Sequence, residues 1–438
     1  MTVSADMITL SDLEGDPHPA LARLRAAAPV CWIPAVGAWL VTGYQLAVDV
    51  LRDARTFTVD DPRFSTAKVV GPSMLSLDGT QHARHRDPFN RPFRHDQIDL
   101  RLASFTRAEA DRLVSSIQPR GEGELRRAVA GPLAVAVMAE ALGLGGTDPA
   151  RILAWYDGIV AAVQAEAAHA ADRPPDGRSP GIRPGQDDPA AATVGSAGVT
   201  AFAELAASLR EVIAAPHSAS LLTEAAGPLT TDEAISNAAV LMFGGIETTE
   251  GMITNAVLHL LCHPSDLGLV LADRSLVPAA IEESLRLEPA AAVVDRYATS
   301  DVQLGGASIR AGDQVTVSLA GANRDPAIFR DPDQFDLRRP NAGRHLAFAH
   351  GPHFCLGAHL ARLEARMAVE AMLAGLPGLS LDPGHPSAPR GLVFRKPPEL
   401  RVCWNRRETG LRWHAGGRGN QRRRDVGAGF ESVRARSR

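Results

Sequence analysis

The feature that most limits what this chain can become is FAHGPHFCLG at residues 348–357, where Cys355 stands between Gly351 and Gly357 just before a helical pattern. Leu356, Leu360, Leu363 and Met367 repeat at helical spacing, and Gly375 with Pro377 supplies a stop. A thiol at a helix N-terminus meets unpaired N–H groups and the positive end of the helix dipole, both of which stabilise a thiolate. Glycines at 351 and 357 let the backbone pass close to a flat, bulky group, while Phe348 can pack beside the sulfur and exclude water. That combination suits haem iron better than zinc. Zinc needs three or four close ligands, and His345, His350 and His353 are offered beside Cys355 only at irregular spacing. A small buried filler is the plain alternative for a lone cysteine.

Composition narrows the setting. Cys31, Cys262, Cys355 and Cys403 lie far apart and make no C-x-x-C pair, so neither a disulfide framework nor a zinc ribbon is suggested, and a reducing cytoplasm is expected. A formal net charge of -4 argues against a nucleic-acid partner. Asp6, Asp12, Glu14 and Asp16 stand where an export signal would need a basic end. The apolar stretch NAAVLMFGGI stops at Glu247, well short of the roughly 20 residues a membrane span requires, so no membrane anchor is expected.

VCWIPAVGAWLVTG predicts two short strands around Gly37, and YQLAVDVLRD a helix after them. Residues 97–172, rich in Ala, Leu, Arg and Glu, predict successive helices. Between Ala171 and Thr200, Pro, Gly, Asp and Ser concentrate, and the segment reads as a mobile loop over a pocket. VQLGGASIRAGDQVTVSL predicts a hairpin, with Val315, Val317 and Leu319 on one face. Residues 1–404 therefore read as one domain, mainly α with small β-sheets (α+β). From 405 to 438 basic residues outnumber acidic ones about three to one, and a solvated, disordered tail is expected. GLGGTD at 143–148 follows a helical stretch and lacks the dinucleotide fingerprint.

Other motifs are plain when taken singly. Glu283 and Arg286 in EESLR are an ordinary i, i+3 pair. His82 and Arg86 in HARHR, Arg296 in DRYA and His353 in PHFC each read as a surface cation. FGGIETTEG reads as a helix that contains Gly-Gly and Glu-Thr. Joined to F-x-x-G-x-x-x-C-x-G, carried by Phe348, Gly351, Cys355 and Gly357, they change meaning: the set resembles the cytochrome P450 family, in order, from about Pro29 to Trp404.

That resemblance implies a cytochrome P450 fold, with a long kinked distal helix and a cysteine loop before the proximal helix. It makes Cys355 the thiolate ligand of haem b iron. His82, Arg86, Arg296 and His353 match the donors to the haem propionates, with Arg84 and His85 lesser candidates. Glu283 and Arg286 match a structural pair joined by a downstream arginine, Arg339 or alternatively Arg338. Glu247 and Thr248 match the acid and alcohol that deliver protons during oxygen activation. Gly244 and Gly245 weaken that helix, and a backward hydrogen bond from Thr248 opens a kink for oxygen and water. Many relatives have Ala where Gly244 stands.

The implied activity is insertion of one oxygen atom, by hydroxylation or epoxidation, into a lipophilic small molecule of secondary-metabolite, terpenoid or steroid type. Segments 58–78, 171–200 and 289–294, with the helix near Phe243, are expected to line the pocket. The chain carries no flavin or nicotinamide fold, so a ferredoxin and a ferredoxin reductase are the implied electron donors to a cytoplasmic monomer. Arg84, Arg91, Arg94, Arg362 and Arg366 could form their docking face. A peroxide-driven or electron-independent haem-thiolate enzyme and a non-enzymatic haem sensor remain as alternatives.

Overall fold

Runs rich in Ala, Leu and Glu become helices here, and short β-branched or aromatic runs become small sheets. In the computed structural model the described residues are 7–171, 189–215 and 220–406, all within the compact unit Met1–Arg406. The strands are β1 (Val30–Ile33), β2 (Ala38–Val41), β3 (Phe57–Thr58), β4 (Glu122–Glu124), β5 (Val293–Ala298), β6 (Val302–Leu304), β7 (Ala307–Ile309), β8 (Gln314–Ser318), β9 (Ser380–Leu381) and β10 (Arg401–Cys403). One sheet has the order β1-β2-β8-β5-β3, a second β4-β10-β9, and β6 with β7 makes a hairpin. β1 and β2 turn at Gly37, whose φ of +62° favours glycine, and Trp32 lies opposite Trp39.

β8 is the central strand, parallel to β2 and antiparallel to β5, and Val315 and Val317 are fully buried. The expected common face ends one residue early. Ser318 accepts a hydrogen bond from the Gly321 N–H at 3.0 Å and starts a short helix, so Leu319 leaves the strand. β4 was not legible in EGE, which lacks apolar alternation; the Leu125 N–H, bonded to the Leu400 carbonyl at 2.9 Å, helps hold it against β10.

The Thr231–Cys262 helix, longest among the described residues, is the expected distal helix. A capping box starts it: Thr230 Oγ1 accepts from the Glu233 N–H at 3.3 Å, and the Glu233 carboxylate accepts from the Thr230 N–H at 2.9 Å. From Thr249 to Leu261 every residue is buried, packed against the proximal helix Ala358–Gly375, the Val277–Leu287 helix and the Gly131–Leu142 helix. The helix runs unbroken through Gly244 and Gly245.

The expected loop at 171–200 lies mainly outside the described residues. Its last part is corrected: Pro189–Ala214 is a helix, with Pro at the start, where a missing N–H costs nothing, and alanines after it. The expected tail at 405–438 lies outside the described residues beyond Arg406.

Candidate active site

One cavity of about 1300 Å³ reaches from the Cys355 loop to the distal helix, touching both Cys355 and Thr248. On its proximal side the Cys355 N–H donates to the Phe348 carbonyl at 2.9 Å, which folds the loop back on itself. Cys355 is open to the cavity, three residues before the first residue of the proximal helix. Burial pushes its thiol up, against the Gly357 N–H, Arg86 and Arg362, which favour the thiolate. Gly351 and Gly357 separate in role. A Cβ on Gly357 would meet nothing nearer than the Cys355 sulfur at 4.0 Å, so the cavity side is clear. Gly351 has φ +72° and a Cβ there would lie 2.4 Å from the Leu51 carbonyl oxygen. Its glycine is dictated by the Tyr44–Arg52 helix, not by a group in the cavity.

On the distal side Thr248 Oγ1 donates to the Gly244 carbonyl at 2.6 Å, so the expected opening takes the form of a carbonyl shared with a hydroxyl. Gly244 and Thr248 line the cavity. Glu247 does not. Lys396 Nζ donates to Glu247 Oε1 at 2.7 Å and also to Glu250, while the Tyr156 hydroxyl donates to Glu247 Oε2. Burial, with the Glu247 carboxylate against it, pushes the Tyr156 phenol far up, and burial beside Glu247 and Glu250 raises Asp157. Neither Lys396 nor Tyr156 was found from the sequence, because both meet Glu247 from far along the chain and sit in no motif.

A cationic rim meets the cavity near the cysteine. Arg86, Arg296 and His353 line it, and the His82 ring lies 4.3 Å from that of His353. Arg296 is buried, donates to the Asp295 carbonyl at 2.7 Å, and forms no ion pair among the described residues. His82 Nε2 is buried without a hydrogen-bond partner, and burial next to His353 and Arg86 lowers that ring to about 4. A buried guanidinium and an orphaned ring nitrogen beside a thiol fit the carboxylates and iron of a haem group. Asp78 was missed: His353 Nε2 lies 2.8 Å from its carboxylate, which also accepts from Thr58 and the Val59 N–H. Burial would raise Asp78, but these three partners outweigh it and hold it at about 2.

Glu283 accepts from Arg286 Nε at 2.7 Å and from Arg339 Nε at 3.0 Å, whereas Arg338 is exposed. The three histidines offered to zinc diverge: His345 pairs with Glu282 and His353 with Asp78, and no three metal-ligating side chains cluster among the described residues. The proposed docking face is partly spent. Arg84 is held by both oxygens of Glu233 at 2.7 Å, and Arg362 by Glu282 at 2.6 Å while lying over the Phe348 ring. Of the segments expected around the pocket, 58–78 and 289–294 line it, and Val160, Val163 and Gln164 of the Pro149–Ala171 helix line it as well.

Known proteins resemble this chain in sequence and in fold. The family model for Cytochrome P450 matches residues 270–402. Cytochrome P450 monooxygenase PikC of Streptomyces venezuelae is 36% identical over 92% of this chain and 94% of its own length. Vitamin D(3) 25-hydroxylase of Pseudonocardia autotrophica is 33% identical over 84% of this chain and 88% of its own length. The crystal structure of P450BioI with an acyl carrier protein bearing hexadec-9Z-enoic acid superposes with a TM-score of 0.78, at 29% identity, covering 90% of this chain and 100% of that one.

Proposed function

From the premise that the chain belongs to the cytochrome P450 family, whose members are monooxygenases that bind haem through a cysteine thiolate, we propose that its substrate is a lipophilic small molecule. A secondary metabolite, terpenoid or steroid skeleton is the class, oxidised by insertion of one oxygen atom with electrons from a separate ferredoxin and its reductase. The observation that carries this reading is the single cavity spanning Cys355 and Thr248, with walls such as Val240, Phe243, Ala291 and Phe394 that are mostly apolar. The relatives' names point the same way, one being a vitamin D(3) hydroxylase. All four cysteines are free, as suits a reducing compartment. The main sheet has only one parallel pair, β2 with β8, so the described residues build no parallel nucleotide-binding sheet of their own.

In this reading Cys355 would ligate the iron, Arg86 and Arg296 would neutralise the haem carboxylates, and His82 and His353 would offer them ring N–H groups. Bound there, the thiolate-ligated iron supplies activation of dioxygen. Apolar walls orient the substrate and exclude water; Thr248 hands a proton inward from its cavity face, and Glu247 restores it. Glu283, Arg286 and Arg339 keep the proximal side rigid.

The test is the absorption spectrum of dithionite-reduced protein with carbon monoxide, beside Cys355→Ala. A red-shifted Soret band lost in the variant is expected, followed by substrate-dependent oxygen consumption with a ferredoxin pair. Properly folded protein without a haem band would sink the reading. Peroxide-supported turnover unchanged by Thr248→Ala would favour the peroxide-driven alternative, and haem binding with no oxygen consumption the sensor.

A further inference from the structure

Glu247, assigned above to proton delivery, faces away from the cavity, and the reason lies in a cluster no motif predicts. Its carboxylate is held on one oxygen by Lys396 at 2.7 Å and on the other by the Tyr156 hydroxyl. Lys396 is buried and shared with Glu250, whose Oε1 accepts from Arg126 Nε at 2.8 Å. Arg126 continues outward to the Pro398 carbonyl at 2.8 Å, and Asp157 follows Tyr156 on the same helix. Four elements thus face the acid: the distal helix with Glu250, the Pro149–Ala171 helix with Tyr156 and Asp157, the turn carrying Arg126, and the segment carrying Lys396.

The packing makes room for this lysine. A Cβ on Gly251, one turn beyond Glu247, would stand 3.5 Å from Lys396 Cβ and 2.9 Å from Ala290 Cβ, and one on Gly131 would stand 3.1 Å from Glu250 Oε1. Phe394, two residues before Lys396, lines the cavity and meets Phe243 edge-on at 5.7 Å. A molecule in the cavity therefore touches the segment that carries the lysine.

We propose that Lys396 is a positioning residue that tethers Glu247 away from the cavity, so that a proton reaches Thr248 only when Glu247 leaves Lys396 and Tyr156. The tether itself keeps its charge throughout: one proton enters from solvent onto a Glu247 oxygen, one leaves Thr248 inward, and Glu247 replaces it. An ammonium shared by two carboxylates suits this role, because each departure of Glu247 leaves Lys396 paired with Glu250. The inference rests on the monooxygenase reading for its consequence, but its first test does not need turnover.

That test is infrared difference spectroscopy of resting holoprotein at neutral pH, comparing wild type with Lys396→Met. Without the ammonium, two neighbouring carboxylates face each other and one takes up a proton. A carboxylic-acid C=O band appears in Lys396→Met and is absent from wild type, from Lys396→Arg and from Glu247→Gln/Lys396→Met. In turnover, Lys396→Met gives a several-fold smaller solvent isotope effect on oxygen consumption and less product per oxygen, Lys396→Arg restores both, and Tyr156→Phe moves them the same way by less. If Lys396→Met does not fold, Tyr156→Phe alone decides. No new carboxyl band with an unchanged isotope effect would overturn the tether, as would slower oxygen consumption with a larger isotope effect. Absence of any oxygen consumption by wild type would instead defeat the monooxygenase reading and leave the infrared result standing.

Discussion

The proximal and distal halves of the site use buried carboxylates in opposite ways. Glu283, about 1% exposed, takes Arg286, Arg339 and the Asp336 N–H, and both guanidiniums spend their remaining N–H groups on backbone carbonyls such as those of Pro332, Arg330 and Gln334. No partner there can leave without stranding a charge. Glu247, about 15% exposed, shares the Lys396 ammonium with Glu250, which also takes the half-buried Arg126. The contrast teaches that the carboxylate behind the cysteine is fixed by two guanidiniums of its own, while on the distal side two carboxylates share one ammonium.

Five substitutions can break or sharpen this contrast. Glu283→Leu strands two buried guanidiniums and is expected to cost about 3–5 kcal/mol in denaturant unfolding, whereas Lys396→Met costs about 1–2 kcal/mol because one of the two carboxylates it leaves takes up a proton; equal costs would abolish the distinction. Gly351→Ala, forced to adopt φ +72° with its Cβ against the Leu51 carbonyl, should lose more than about 1 kcal/mol by the same measurement. A smaller effect depends on pH. Arg84, with Thr230, holds Glu233 at about 2 against an ordinary 4.5, so its contribution is complete above 4.5 and lost as pH falls through 2. Thermal unfolding of Glu233→Gln should therefore show a shallower loss across that window than wild type. Smallest is Gly244→Ala, whose Cβ meets nothing within 4 Å: the helix gains up to about 1 kcal/mol, and a measured loss would mean that the distal side is packed as tightly as the proximal.

The same contrast governs what could be read from the chain. Glu283 with Arg286, and Gly244 with Thr248, lie within single helices, where the spacing of the residues is also their geometry. Cys355 was legible because its glycines and the following helix are contiguous. Choosing Arg339 over Arg338 needed the turn at Asp336 that exposes one and buries the other. Lys396, Tyr156 and Asp78 were invisible for the opposite reason: each meets its partner only after the chain has returned from 91 to 275 positions away. Apolar composition around Pro189 could not reveal a helix that begins in a segment dense with turn-forming residues.

The capping box at Thr230 has one more consequence. Glu233 is bonded at once to its own helix start and to Arg84, and Asn237, one turn on, accepts from the Met74 N–H at 2.8 Å and lies 3.0 Å from His85 Nδ1. These contacts fix the angular phase of the distal helix at a point roughly 20 Å before Glu247, at 1.5 Å per residue. Each residue turns the helix by about 100°, so a single residue inserted between Asn237 and Gly244 would bring the glutamate to the angle that the threonine holds now. The division of labour between the inward hydroxyl and the outward acid is thus a matter of counting: one added residue, with every side chain kept, would turn the acid inward and carry the hydroxyl about 100° further around the helix.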